Sequence, residues 1–260
     1  MKAIKITAFQ ESANYKVPIS HDFRESYPLP PYSTIIGMVH YLCDFKEYHP
    51  MKVSIQGSYG STTSDLYTEY EFKNGMKFES KRHQLNVKGF GISRGVAQVQ
   101  LMTDVHLVLH IIPDDQSEVE NIYNCLKYPR EYPNIGRRED LAVFESVEIV
   151  EVKKQQLNKD LHSGEYLNDS RKDSRKNWAA YIPIEVLKNN DDFSHRDKHG
   201  MDFDMGTKYN LNKVYSLVKT RKNKPAERRW EKYKVIYTGF AIWEDAVISA
   251  DSDGDAVFAV

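Results

Sequence analysis

Alternation opens the chain. Ile4, Ile6 and Ala8 are separated by Lys5 and Thr7, and a period of two over residues 3–9 predicts a half-buried strand. The period then changes to that of a helix: Ile35, Ile36, Val39, Leu42 and Cys43 fall on one face, with His40, Tyr41 and Asp44 largely off it, from Ser33 to about Phe45. The approach is Tyr27-Pro-Leu-Pro-Pro-Tyr-Ser-Thr-Ile-Ile-Gly37. Its three prolines fix their own φ and disfavour αR in their predecessors, so the chain arrives extended, and Ser33 is placed to cap the helix. Val53 and Ile55 mark a strand over residues 51–56. Residues 66–73 and the run from Met76 onward predict a hairpin with Asn74-Gly75 in a type I′ turn at its tip. Val105, Leu107, Leu109 and Ile111 define one face of a strand over 101–112, ended by Pro113. Asp114 or Asp115 then caps a second helix, with Glu118 completing a variant of the capping box and Val119, Ile122, Tyr123 and Leu126 forming its stripe. Strand character resumes over 141–152.

This order, β-α-β-β-α-β, predicts an α+β, ferredoxin-like (RRM-like) domain over residues 1–152, with both helices on one face of a four-stranded antiparallel sheet and the other face open. The hairpin over about 66–95 is an extended insertion. Residues 153–176 and 191–204 are polar, whereas 178–187, 209–220, 230–243 and 256–260 predict strands of a smaller β-rich C-terminal region, 153–260.

With 260 residues, 40% hydrophobic and 28% charged, the chain has the composition of a soluble protein. No apolar run is long enough to span a bilayer and the N-terminus lacks a secretory pattern, which predicts a cytoplasmic protein with no membrane partner. Cys43 and Cys125, each on the apolar side of a predicted helix, read as reduced core residues. The net charge of −1 hides an asymmetry: residues 219–234 hold eight Lys/Arg against two Glu, and residues 244–260 hold five acids and no base. A near-neutral total therefore leaves room for an anionic partner, although a solvated β-hairpin explains the basic segment equally well.

The segment 27–37 resembles the RAMP proteins of CRISPR systems, specifically the Cas-five family of type I Cascade subunits. Tyr48-His-Pro-Met-Lys-Val-Ser-Ile-Gln-Gly57 is similar to the type I-B branch, and Asn134-Ile-Gly-Arg-Arg-Glu-Asp-Leu141 to the family's Gly-Arg loop. The resemblance covers the N-terminal 150 residues or so; beyond them only the β-rich character matches. It implies a non-catalytic subunit that clasps the five-prime handle of a CRISPR RNA and caps a Cas-seven backbone. The Cas-eight large subunit would be a neighbour, target DNA would be reached through the complex, and no cofactor is implied. The hairpin over 66–95 would be the thumb that bends the guide. In the type I-C branch the family processes precursor RNA; in the branch resembled here a separate Cas-six protein does so.

Single-stranded RNA needs cations for phosphates and π-faces for splayed bases. Gly136 lets backbone approach a ligand, and Arg137 and Arg138 are candidates for a phosphate and a base edge. Taken alone, these residues favour a loop whose arginines pair with Glu139 and Asp140, and the resemblance reverses that preference. Lys81, Arg82 and Arg94, with Lys77, His83 and Lys88, give the hairpin a mainly basic return strand. Tyr67, Tyr70 and Phe72 are stacking surfaces or ordinary sheet packing. Gly89, Gly91 and Gly95 offer a hinge. Ser33 and Thr34 lie at a positive helix end, where capping is the simpler role. Arg24 is either a handle contact or a salt-bridged surface residue.

The rival reading is a metal-independent endoribonuclease that processes precursor RNA with His40 or Tyr41 as acid or base. His106 and His110 share a strand face and His195 and His199 a polar loop, without further metal ligands. Asp251-Ser-Asp-Gly-Asp255 resembles a calcium loop, but its glycine is two positions early, so a hairpin turn between 246–250 and 256–260 is predicted. If it is more than a solvated hairpin, the basic segment 219–234 is a candidate surface for guide, target DNA or the large subunit.

Overall fold

The alternation at Ile4, Ile6 and Ala8 continues through β1 (Lys2–Ala13), longer than predicted because a polar position, Gln10, is also buried. Its side-chain nitrogen donates to the carbonyls of Ile135 and Asp140 at 2.9 and 3.0 Å. A computed structural model describes residues 1–20, 23–73, 75–156, 161–162, 178–188, 193–194, 206–219, 226–239, 241–242 and 247–260. After β1 come β2 (Phe23–Arg24), α1 (Tyr32–Leu42), β3 (Met51–Glu71), β4 (Leu85–Val87) and β5 (Phe90–Pro113). A 3-10 turn (Gln116–Glu118), α2 (Val119–Lys127), β6 (Val143–Glu151), β7 (Lys153–Gln156), β8 (Leu161–His162), β9 (Ala179–Pro183) and α3 (Ile184–Lys188) follow. The chain closes with β10 (Phe193–Ser194), β11 (Thr207–Val218), β12 (Glu227–Thr238), β13 (Ala241–Ile242) and β14 (Val247–Ala250).

One sheet takes the order β11-β12-β9-β3-β5-β1-β6, with β2 and β4 joined to β5. Strands β3, β5, β1 and β6 are mutually antiparallel, Ile111 standing opposite both Ile4 and Val53. Ile35 and Val39 of α1 and Val119 and Ile122 of α2 are buried against Ile4, Ile6, Ile55, Leu107 and Leu109, so both helices lie on one face. The boundary expected near residue 152 is not a break in the sheet. Through Gln56 opposite Ala180 and Gly57 opposite Ala179, β9 joins the edge of β3 and carries β12 and β11 with it. Two small sheets, β10-β13-β8 and β14-β7, complete the described strands. The strand predicted over 178–187 ends at Pro183, which has no N–H to give a ladder, and the chain turns helical in α3.

Four further expectations are corrected. First, the predicted strand 51–56 and the first arm of the predicted hairpin are a single strand. β3 pairs with β5 from Met51 opposite Pro113 to Glu71 opposite Ser93, and Gly57 lies inside the ladder opposite Leu107, at a place where an added Cβ would lie 2.3 Å from the His106 carbonyl oxygen. Asn74 lies outside the described residues. The described residues around it do turn at the expected tip, with Gly75 at φ 78° and the Met76 amide donating to the Lys73 carbonyl at 3.1 Å, and a second two-residue reversal sits at Lys88 and Gly89, both with positive φ (50° and 84°), between paired Val87 and Phe90.

Second, Ser33 does not cap α1. Pro31 is the N-cap, without a side-chain bond, and Ser33 is inside the first turn. The extended approach is held from elsewhere: the Tyr181 hydroxyl donates to the Leu29 carbonyl at 2.6 Å and accepts from its amide at 3.2 Å. Third, the capping box before α2 is split. Asp115 accepts from the Ser117 amide at the 3-10 turn, while Glu118 turns away to His49. Cys43 and Cys125 are free thiols but only half-buried, and burial together with the adjacent Cys125 thiol pushes the Cys43 thiol up.

Fourth, the face opposite the helices is not open. Lys5, Ser54, Gln56 and His110 point out of it, are all buried, and need partners that residues 251–260 supply. Lys5 Nζ meets carboxylates of Asp251, Asp253 and Asp255 at 2.9, 2.8 and 2.6 Å, and His110 Nε2 lies 3.0 Å from Asp251. Gln56 donates to the Ala256 carbonyl, the Phe258 amide donates to Ser54, and the Val53 amide donates to the Val260 carbonyl. The turn expected there is present, with Ala250 bridging Ala256 and Gly254 at φ 92°.

Candidate nucleic-acid interface

The loop after α2 is built around one buried carboxylate. Asp140 is 1% exposed; its Oδ2 accepts the amides of Asn14 (3.0 Å) and Arg137 (2.7 Å), and its Oδ1 accepts Arg137 Nη2 at 2.7 Å. Gly136 is required by this packing. At φ 117° an added Cβ would sit 2.7 Å from Asp140 Oδ2 and 3.0 Å from the Asn14 carbonyl oxygen, so the close approach expected of a ligand is made by the loop itself. Arg137 is likewise committed inward, with Glu139 a second partner at 3.1 Å. Burial disfavours its charge, but Asp140 outweighs that and raises its pKa. Arg138 is exposed and forms no ion pair among the described residues.

Across from this loop lies the first half of α1. Ser33, Thr34, Gly37 and Tyr41 form a cleft of about 240 Å³ with Asn134 and Gly136. A second cleft of about 420 Å³ adjoins it, between Tyr41, Glu131, Tyr132 and Arg138. The Tyr41 hydroxyl donates to Glu131, and the Arg130 guanidinium lies 4.9 Å over its ring. The fold thus brings Ser33, Gly136, Arg137 and Arg138 to one place, although they are about a hundred residues apart in sequence. Tyr41, Tyr132 and Asn134 belong to the same walls. Nothing in the spacing of Tyr41 and Tyr132 points to this site, whereas Asn134 belongs to the Gly-Arg segment 134–141, the one signal in the sequence that leads to it.

Arg24 and the hairpin arm flank the loop. Arg24 Nη2 pairs with Glu69 at 3.0 Å and its guanidinium lies 4.6 Å over the Tyr67 ring, so the surface-ion-pair alternative describes it. Burial raises the Tyr67 hydroxyl, a shift that Glu69 adds to and that the charges of Arg24 and Arg137 oppose. Arg94, opposite Tyr70, is three residues farther out on the ladder, roughly 10 Å at strand rise.

Lys81 and Arg82 are exposed in the tip loop, where the expected basic return strand is replaced by turns. That loop folds on buried His83, whose Nδ1 accepts the Glu79 amide at 3.0 Å, so its ring is turned into the loop and is not presented at the surface. Lys81, Arg82 and Arg94 make no ion pair among the described residues, and neither Lys81 nor Arg82 lines the clefts beside Gly136.

The candidate catalytic pair is engaged within the fold. His40 Nδ1 donates to the Ile36 carbonyl at 2.8 Å and Nε2 accepts the His49 amide at 3.0 Å, fixing one neutral tautomer, and burial lowers its pKa. His195 and His199 lie outside the described residues. No group of three or more His, Cys, Asp or Glu among the described residues is arranged to hold a metal ion. No helix of the described residues is long and apolar enough to cross a membrane.

The family model described as CRISPR-associated protein (Cas_Cas5) matches residues 3–215. Among solved structures, a chain titled "CRISPR RNA-guided surveillance complex" is 13% identical with a TM-score of 0.53, covering 93% of this chain and 91% of that one. A CRISPR protein from Archaeoglobus fulgidus is 10% identical, covering 100% of this chain and 99% of that one, with a TM-score of 0.41. No curated protein matches. The first of these structures shares the mostly β fold described above, and because the family model spans well over half of the sequence, the chain belongs to the Cas5 family of CRISPR-associated proteins.

Proposed function

We propose that the protein is a non-catalytic RNA-binding subunit of a type I-B CRISPR surveillance complex in the cytoplasm, holding the five-prime handle of the guide at the loop 134–138 and the base of the arm. The four central strands, in the order β6-β1-β5-β3 with α1 and α2 on one face, support a ferredoxin-like RAMP domain. In this reading the hairpin over about 66–95 is the thumb that bends the guide near its handle, and the subunit caps a Cas-seven backbone. The Cas-eight subunit is a neighbour, and target DNA is met through the guide. The observation that carries this reading is the exposed Arg138, unpaired among the described residues, beside clefts in which the α1 start and the Gly136 loop converge, with Arg94, Lys81 and Arg82 continuing the positive charge along the arm. Arg137 and Arg24 act in it as braces for the loop and the arm. His40 has both ring nitrogens occupied, which supports a holding role over proton transfer.

The test is incubation of the purified protein with labelled repeat RNA, with and without Cas-seven and with and without EDTA, scoring retention and cleavage together. Handle-dependent retention without cutting is expected. Cutting abolished by His40→Ala or Tyr41→Phe would establish the endoribonuclease instead, and assembly indifferent to handle sequence would reduce the protein to a scaffold.

A further inference from the structure

Gly37 is the one glycine of α1, and it is exposed; a Cβ built on it meets nothing within 4 Å. A glycine inside a helix is less stable than alanine, and nothing in the packing asks for it. Gly37 is also a wall of two depressions. On one flank of α1 it borders the cleft shared with Asn134 and Gly136. On the other it borders a groove of about 590 Å³ that runs between residues 45–48 and the outer half of the β11–β12 hairpin.

That second groove carries charge and aromatic surface together. Tyr48 and Tyr215 are 46% and 42% exposed, and Leu217 is 66% exposed. The Tyr215 ring is held by Trp230 at 5.1 Å, edge-on, and by the Arg228 guanidinium at 4.6 Å; Tyr48 is stacked at 5.5 Å on His40, which leaves its outer face bare. Lys213, on the wall, lies 5.4 Å over the Tyr233 ring and has no carboxylate within ion-pair distance among the described residues; burial lowers its pKa, and the more distant Glu231 and Asp114 offset only part of that. Lys46 and Lys213 line the groove, with Glu47 the only carboxylate lining it among the described residues; Arg228, Arg229, Lys232 and Lys234 are exposed beside it on β12 without an ion pair among the described residues, and Glu231 is close enough to act on Tyr48 and Lys213. Exposed rings in a groove flanked by cations are the chemistry that holds splayed bases and phosphates.

We propose that a single-stranded nucleic acid crosses α1 at Gly37 and lies in the groove between residues 45–48 and the β11–β12 hairpin, its bases against Tyr215 and Tyr48 and its phosphates near Lys213 and Arg228. The bare glycine is the saddle over which the strand passes. This site rests on the handle reading only for where the strand comes from; the groove itself stands on its own residues.

Fluorescence anisotropy with labelled single-stranded RNA and DNA of about 12 nucleotides, within the range one such groove covers, tests it on the full chain. Tyr215→Ala and Arg228→Glu are each expected to weaken binding about tenfold. Gly37→Ala is expected to hold or raise the melting temperature, and Gly37→Leu, which fills the saddle, to weaken binding while the protein melts normally. Preference for RNA assigns the occupant to the guide, preference for DNA to a target strand, and equal binding to either. Unchanged affinity in Tyr215→Ala, Arg228→Glu and Gly37→Leu overturns the proposal, and a loss confined to Arg138→Glu then leaves the handle reading standing. The converse pattern, loss in the Tyr215 variant and none in the Arg138 variant, keeps the groove and removes the handle assignment. Intact oligonucleotide binding with failed assembly on partner proteins makes the groove a protein-docking surface and also overturns the proposal.

Discussion

Two short loops of this protein have sequences that advertise ligand chemistry, Gly136-Arg-Arg138 and Asp251-Ser-Asp-Gly-Asp255, and both turn out to be wired inward. The difference lies in what each leaves over. Around Asp251 the three carboxylates close on Lys5 and His110, and the cluster is spent on fastening the last ten residues across the sheet. Around Asp140 one carboxylate satisfies two amides and Arg137, and the next side chain, Arg138, is left facing the cleft beside α1. A charged motif becomes a candidate site through the charge that the fold does not consume.

The largest effect is expected where nothing is left over. Lys5→Met strands three carboxylates beside a buried imidazole and should cost about 3–5 kcal/mol, measured by urea unfolding. A loss below about 1 kcal/mol would mean the tail is not held by this cluster. Asp140→Ala leaves the buried Asn14 amide and the Arg137 amide without their acceptor and should cost about 2–3 kcal/mol, with RNA retention falling because Arg138 loses its platform.

The Asp251 cluster also sets an acid limit. Burial disfavours the Asp251 carboxylate, yet His110 and Lys5 outweigh it and hold its pKa at about 2. That lies below the unfolded value of about 3.9, so its contribution, about 2 kcal/mol, is present above pH ~4 and lost as pH falls toward 2. Asp255, raised by burial, offsets part of this. Lys5 is disfavoured by burial but raised beyond the usual lysine range by Asp255, Asp253 and Asp251, so its contribution holds below about pH 10 and fades at higher pH. Unfolding free energy measured from pH 6 down to 2 should show a step that Asp251→Asn removes. The smallest effect on stability is expected at Arg138→Glu, within about 0.5 kcal/mol, since no described partner is lost. Reversing Arg137 as well would blur the comparison, because it breaks the Asp140 loop.

The helix face of the sheet was legible because it is written in local periods: Ile4 and Ile6, Ile35 and Val39, Val119 and Ile122 all reach the core as their spacing predicts. The opposite face was not legible. Its polar residues, Lys5, Ser54, Gln56 and His110, look solvated in sequence, and the partners that bury them come from about 140 to 250 residues away. The arm was half legible. Tyr67 and Arg94 were placed on a hairpin, but the ladder that makes 51–71 one strand depends on the pairing with β5 rather than on its own composition. At the candidate site the pairing of Arg137 with Asp140 and Glu139 was visible as the simpler alternative. The meeting of that loop with Ser33 and Gly37 was not, since it depends on how α1 and the Asp140 loop come together across the sheet.

Affinity for a labelled RNA carrying the repeat-derived five-prime handle, compared between the native protein and Arg138→Glu with melting temperatures recorded on the same samples, tests the central claim most directly. Handle binding weakened about tenfold at an unchanged melting temperature is the predicted result; equal affinity of the two proteins would contradict it.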